Sequence, residues 1–179
     1  MINKCKNEYK EITNDIVNDY RFKLTMNDFH HGGTKYNHLV KVSKLCYILS
    51  KVFKADTKVA TTAGLLHDLF YGKRTLKEEN DYLNHPHTAA VNAYNFYNIS
   101  EEEISAIETH MFHHMLLKKM AFFNKDNRNL PLKVGKPKSK EGYIVMISDL
   151  LVSTYESKTF LKYKFDLAFL LIISIFLNK

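Results

Sequence analysis

Gly64-Leu65-Leu66-His67-Asp68-Leu69-Phe70 is the stretch from which the rest of the chain can be read. Its apolar run ends in an imidazole beside a carboxylate, and two polar side chains at the end of a buried helix need a partner to offset their lost hydration. A metal ion is the candidate partner. Imidazole nitrogen and carboxylate oxygen suit Mn, Fe, Co, Ni or Zn, and neighbouring residues project about 100° apart on a helix, so both can reach one ion lying between them. His38 upstream and Asp149 downstream are candidates to complete the set.

Working outward, Asp56 reads as the N-cap of the helix that carries this stretch, with Val59, Ala60, Ala63, Leu66 and His67 approximating one face. The small residues Ala60, Ala63 and Gly64 allow close helix packing. Before it, Leu39, Val42, Leu45, Cys46, Leu49, Val52 and Phe53 form the stripe of a helix starting near Tyr36 or Asn37, with His38 in its first turn. His30-His31-Gly32-Gly33-Thr34 is the turn that precedes it, and Ile12, Ile16, Val17 and Tyr20 mark a first amphipathic helix from about Tyr9 to Phe22.

Downstream of Tyr71-Gly72 the chain turns polar and reads as a surface connection. In His85-Pro86-His87, proline at a first helical position puts His85 at the N-cap of a fourth helix through Ala89, Ala90, Ala93 and Phe96. Ser100-Glu101-Glu102-Glu103 has the form of a capping box, opening a fifth helix with Ile104, Ile107 and Met111 inward and His110 beside them. His113 and His114 follow His110 at i+3 and i+4, a spacing that could chelate a metal by itself, yet read as chance on a solvated helix. A sixth helix, about Lys140 to Tyr155, sets Asp149 in apolar company, where a metal is one partner and a lysine or a helix amino terminus the alternative.

Helix-period segments dominate the 179 residues, and glycine and proline are scarce at 6 and 3. The expected fold class is therefore all-α, one compact bundle of about six to seven helices forming a single domain. Cys5 and Cys46 are too few for a disulfide framework, read as small apolar packers, and point to a reducing, cytoplasmic setting. The net charge of +7 favours anionic partners. A basic loop at about 117–140 is either a solvated insertion or a cationic flap over an anion site. The apolar carboxy-terminal helix expected at about 160–178 is short of the roughly 20 residues that span a bilayer, which disfavours a membrane anchor and makes a homodimer a partner to test for.

Taken singly, each of these histidines and aspartates has an ordinary structural explanation. Taken together, His38, His67-Asp68, His85, His110 and Asp149 sit at ends or inward faces of five expected helices. Their order, with His31-Gly32-x-x-x-Tyr36-x-His38, Ala63-Gly64-Leu65-Leu66-His67-Asp68 and His85-Pro86 before an alanine-rich helix, resembles the HD superfamily of metal-dependent phosphohydrolases over about His31 to Glu156. It is closest to small bacterial members with two additional histidines, including those acting on dinucleoside polyphosphates.

The resemblance implies an HD-domain bundle in which His38, His67, Asp68 and Asp149 hold one divalent ion, and His85, His110 and a bridging Asp68 a second. It implies hydrolysis of a phosphoester or phosphoanhydride bond of a nucleotide-type substrate by a metal-activated hydroxide, with Asp68 catalytic. Fe, Mn, Co or Ni are the favoured ions, with Mg or Zn also admitted. Some members carry a phosphate-binding lysine close behind the His-Asp pair; here Leu69 to Gly72 intervene before Lys73 and Arg74, the cations assigned to substrate. The Gly-Tyr-Pro element of the cyclic dinucleotide branch is missing. The alternatives are a non-catalytic metal or nucleotide sensor that kept the site and, less favoured, a nucleic-acid-binding module acting through the basic loop.

Overall fold

A computed structural model describes residues 2–30, 33–71, 79–113 and 134–157. Among these the chain is an all-α bundle of seven helices, with one 3-10 turn and a single two-stranded ladder. Helix α1 (Ile2–Asn18) is followed by α2 (Tyr20–Lys23) and the 3-10 turn Leu24–Asn27; then come α3 (Lys35–Phe53), α4 (Thr57–Leu66), α5 (Glu79–Tyr97), α6 (Glu101–Glu108) and α7 (Lys140–Ser157). The expected first helix therefore starts earlier and is interrupted at Asp19. The carboxylate of Asp19 accepts the Arg21 backbone N–H at 2.7 Å and so begins a new helical turn.

The turn before α3 is an antiparallel ladder of β1 (Phe29–His30) and β2 (Gly33–Thr34), pairing Phe29 with Thr34 and His30 with Gly33. Thr34 then caps α3, accepting the Asn37 N–H. Asp56 caps α4 as expected, accepting the Val59 N–H at 2.9 Å, while its own N–H donates to Glu141 at 2.8 Å and ties the start of α4 to the start of α7.

The core lies where α3, α4 and α7 meet, built from Leu39, Val42, Cys46, Ala60, Ala63, Leu65, Leu66, Ile144 and Val145. Small residues set the α3–α4 distance: a Cβ at Gly64 would stand 2.5 Å from Cys46 Sγ and 3.4 Å from Ser43 Cα. The Ser43 hydroxyl donates to the Thr61 carbonyl across the same seam, at 3.0 Å. Cys46 packs as expected. Cys5 does not: it is exposed on α1, whose buried face carries Thr13 and Ile16 instead.

Two expectations about the later helices are corrected. Helix α5 runs through Pro86, which sits inside it, so His85 is a mid-helix residue rather than an N-cap. The cost is one missing backbone donor and a ring crowded against the carbonyl four residues back. Helix α6 opens with both halves of the capping box, Ser100 with Glu103, but ends at Glu108, and His110 lies in the turn beyond its C-cap Thr109. The apolar tail, and the basic loop except for its last few residues, lie outside the described residues.

Candidate metal centre

Helix α4 ends at Leu66, so His67 and Asp68 stand in the turn at its carboxyl end, where the partial negative charge of the helix favours a cation. Successive residues there face different ways. His67 turns to α3 and α7, its Nε2 lying 3.6 Å from Asp149 Oδ1, and Asp149 in turn is 3.2 Å from His38 Nε2. Asp68 turns to the other side: its Oδ1 lies 3.1 Å from His85 Nε2 and 3.6 Å from His110 Nε2, and those two ring nitrogens are 3.1 Å apart. The structure thus brings together all six residues singled out as metal ligands, and each is buried.

The rings are oriented from behind. His67 Nδ1 faces the Gly64 carbonyl at 2.9 Å and His110 Nδ1 the Ile107 carbonyl at 2.7 Å, so each donates its Nδ1–H to the backbone and presents an Nε2 lone pair to the centre. His38 is held differently, with Nδ1 2.8 Å from Glu156 Oε2. Its ring plane is tilted against His67 with centroids 5.4 Å apart, and His67 meets His110 edge-on at 4.9 Å.

This arrangement fits a divalent ion. Among the described residues His67 Nε2 is a buried nitrogen with no hydrogen-bond partner, a costly state that coordination would relieve. His38, His67 and Asp149 offer ligand atoms within 4.8 Å of one another, and so do His67, Asp68 and His110.

Electrostatics point the same way. Burial and the neighbouring His67 and His85 hold His110 well below the usual imidazole range, so it is neutral and ready to ligate. Burial also favours a neutral His38, but hydrogen bonds to Asp149 and Glu156 and the charge of Asp149 and Asp68 outweigh it and raise this ring to about 9. Asp149 opposes its own burial through His38 and His67 and stays well below the usual carboxylate range.

Two supporting residues escape a reading of the sequence. Glu156 is one; its spacing of seven from Asp149, two helical turns on one face, is the signal that could have found it. Lys35 is the other, a buried lysine whose Nζ donates to the Phe70 carbonyl at 2.6 Å, pairs with Asp28 at 3.1 Å and lies 3.5 Å from the centroid of the Phe70 ring. Phe70 in turn packs on His85 at 5.3 Å, and Asn92 of α5 donates to the Leu69 carbonyl at 2.9 Å, so the turn after Asp68 is fastened to α3 and to α5.

His87, two residues from His85, points outward to Glu108 and is 74% exposed, as expected of a residue outside the centre. His113 is buried rather than solvated, with Nδ1 3.1 Å from the His110 carbonyl. His114 and the two cations assigned to substrate, Lys73 and Arg74, lie outside the described residues.

A family model, the HD domain, matches residues 36–153, which span the centre from α3 to α7. This chain belongs to the HD domain family. No curated protein and no solved structure matches it. Membership places this HD domain in a superfamily of metal-dependent phosphohydrolases, whose domains bind divalent metals, and its buried histidines and aspartates could hold one. No helix among the described residues of this HD domain is long and apolar enough to cross a membrane.

Proposed function

We propose that this HD domain hydrolyses a phosphoester or phosphoanhydride bond in a nucleotide-type substrate. His38, His67, Asp68, His85, His110 and Asp149 hold one or two divalent ions, with His67 offering a ligand atom both to the His38–Asp149 group and to the Asp68–His110 group. The observation that carries this reading is the convergence of six buried side chains from α3, α4, α5, α7 and the turn after α6 on one centre, with two of the rings fixed as Nε2 ligands. A structural role alone does not explain four imidazoles packed together around two carboxylates.

When bound, divalent ions polarise phosphoryl oxygens and lower the pKa of water. The protein's own contribution is charge and position. With neutral imidazoles, the two aspartates leave a pair of divalent ions with excess positive charge, which suits an anionic phosphate, and the chain's +7 net charge draws such substrates in. Lys73 and Arg74 remain the proposed phosphate contacts.

Imidazole-rich, thiolate-free ligation favours Fe, Mn, Co or Ni. Cys46 is no competitor, since burial pushes its thiol up to about 12 and it packs in the α3–α4 seam.

The test is phosphate or nucleotide release from a panel of nucleoside monophosphates, dNTPs and dinucleoside polyphosphates, with Mn, Fe(II), Co, Ni or Mg supplied, beside Asp68→Ala. Turnover by the intact protein and background rates from a folded, metal-depleted Asp68→Ala protein are expected. A fully active, metal-replete variant would overturn the assignment.

A further inference from the structure

Glu156 lies in the last turn of α7, and with Asp149 it grips the His38 ring from both edges: Asp149 Oδ1 stands 3.2 Å from Nε2 and Glu156 Oε2 stands 2.8 Å from Nδ1. For His67 and His110 the corresponding edge meets a neutral backbone carbonyl, that of Gly64 and of Ile107 respectively. The second oxygen of Glu156 accepts from Lys41 Nζ at 2.8 Å, and Lys41 sits on α3 one turn beyond His38. The Glu156 side chain, only 8% exposed, is therefore held from two sides by the helix that carries the ring it contacts.

A carboxylate behind an imidazole does two things that a carbonyl does less well. It draws the proton to Nδ1, which leaves the lone pair on Nε2, and its full negative charge raises the basicity of that lone pair. We propose that Glu156 is a positioning residue that strengthens metal binding through His38 in the His38–His67–Asp149 half of the centre and leaves the His85–His110 half untouched. The proposal rests on the metal reading above. Lys41 fixes the carboxylate in place, and α7 supplies both a ligand, Asp149, and the group that tunes the ligand opposite it.

The test uses the full chain and cobalt(II) alone, titrated by visible absorption and equilibrium dialysis. Glu156→Gln keeps the shape and an acceptor but removes the charge; Glu156→Ala removes both. Compared where the pH profile of cobalt binding has levelled off, so that no proton competes for Nε2, cobalt affinity is expected to fall about 10- to 100-fold, further for Ala than for Gln, with a changed cobalt spectrum.

The decisive comparison is with two backgrounds. In a His38→Ala protein the Glu156→Gln change should cost nothing more, whereas in a His85→Ala protein it should keep its full penalty. A Gln variant that binds cobalt like the parent overturns the proposal, as does a penalty that persists without His38, which would mark a merely structural role. Parent protein that binds no cobalt would overturn the metal reading as well, and so is distinct from failure of this proposal alone. If the Ala variant does not fold, the isosteric Gln carries the test.

Discussion

At His38 a proton and a metal compete for one nitrogen. In the metal-free protein Asp149 and Glu156 raise the ring, against its burial, from 6.5 to about 9. The stability this proton contributes is fully present below the ordinary imidazole value and is lost as pH rises through about 9. A metal must displace the proton from Nε2, so apparent affinity should climb about tenfold per pH unit between neutrality and pH 9 and then level off. Manganese or cobalt titrations across that range check it; a flat profile would mean that binding displaces no proton from His38. His67, Asp68 and Asp149 stand out in the sequence as polar groups in apolar company, whereas His38 gains its meaning from its place in the ordered set that resembles the HD superfamily. Glu156 and Lys35 did not stand out. Glutamate at a helix end and lysine in a lysine-rich chain are ordinary surface residues, and only the fold buries this lysine and turns this glutamate to a ring 118 positions away.

Among the elements, the α3–α4 seam decides how well the centre is held, because α3 carries His38 and α4 leads directly into the turn that bears the His-Asp pair. Gly64 sits at the closest approach. Alanine there would gain roughly 1 kcal/mol in helix propensity, but its Cβ would meet buried Cys46 Sγ at 2.5 Å, and such overpacking costs about 1–3 kcal/mol. Gly64→Ala should therefore lower stability in chemical unfolding, and the added change Cys46→Ala should restore most of the loss; an unchanged midpoint for Gly64→Ala would contradict this packing. The small-residue run in the sequence already pointed to this contact. The register of α5 and the end of α6 were less legible. Proline usually marks a helix start, yet here the preceding residues are helical too, and His110 looked helical from its spacing although the α6 ladder closes at Glu108.

Across the whole molecule, the centre is where helices distant in sequence are stitched together. The ligands come from α3, the end of α4, α5, the turn after α6, and α7, so the site exists only when the bundle is assembled. That is also why the metal centre could be inferred from an ordered set of residues, while its two-sided form, with Asp149 facing His38 and His67 and Asp68 facing His85 and His110, needed the fold. The most direct test of the account is anomalous diffraction from crystals of the full chain soaked in manganese. The prediction is one or two peaks within bonding distance of His38, His67 and Asp149 on one side and of Asp68, His85 and His110 on the other. Strong manganese peaks elsewhere, with none among these six side chains, would contradict it.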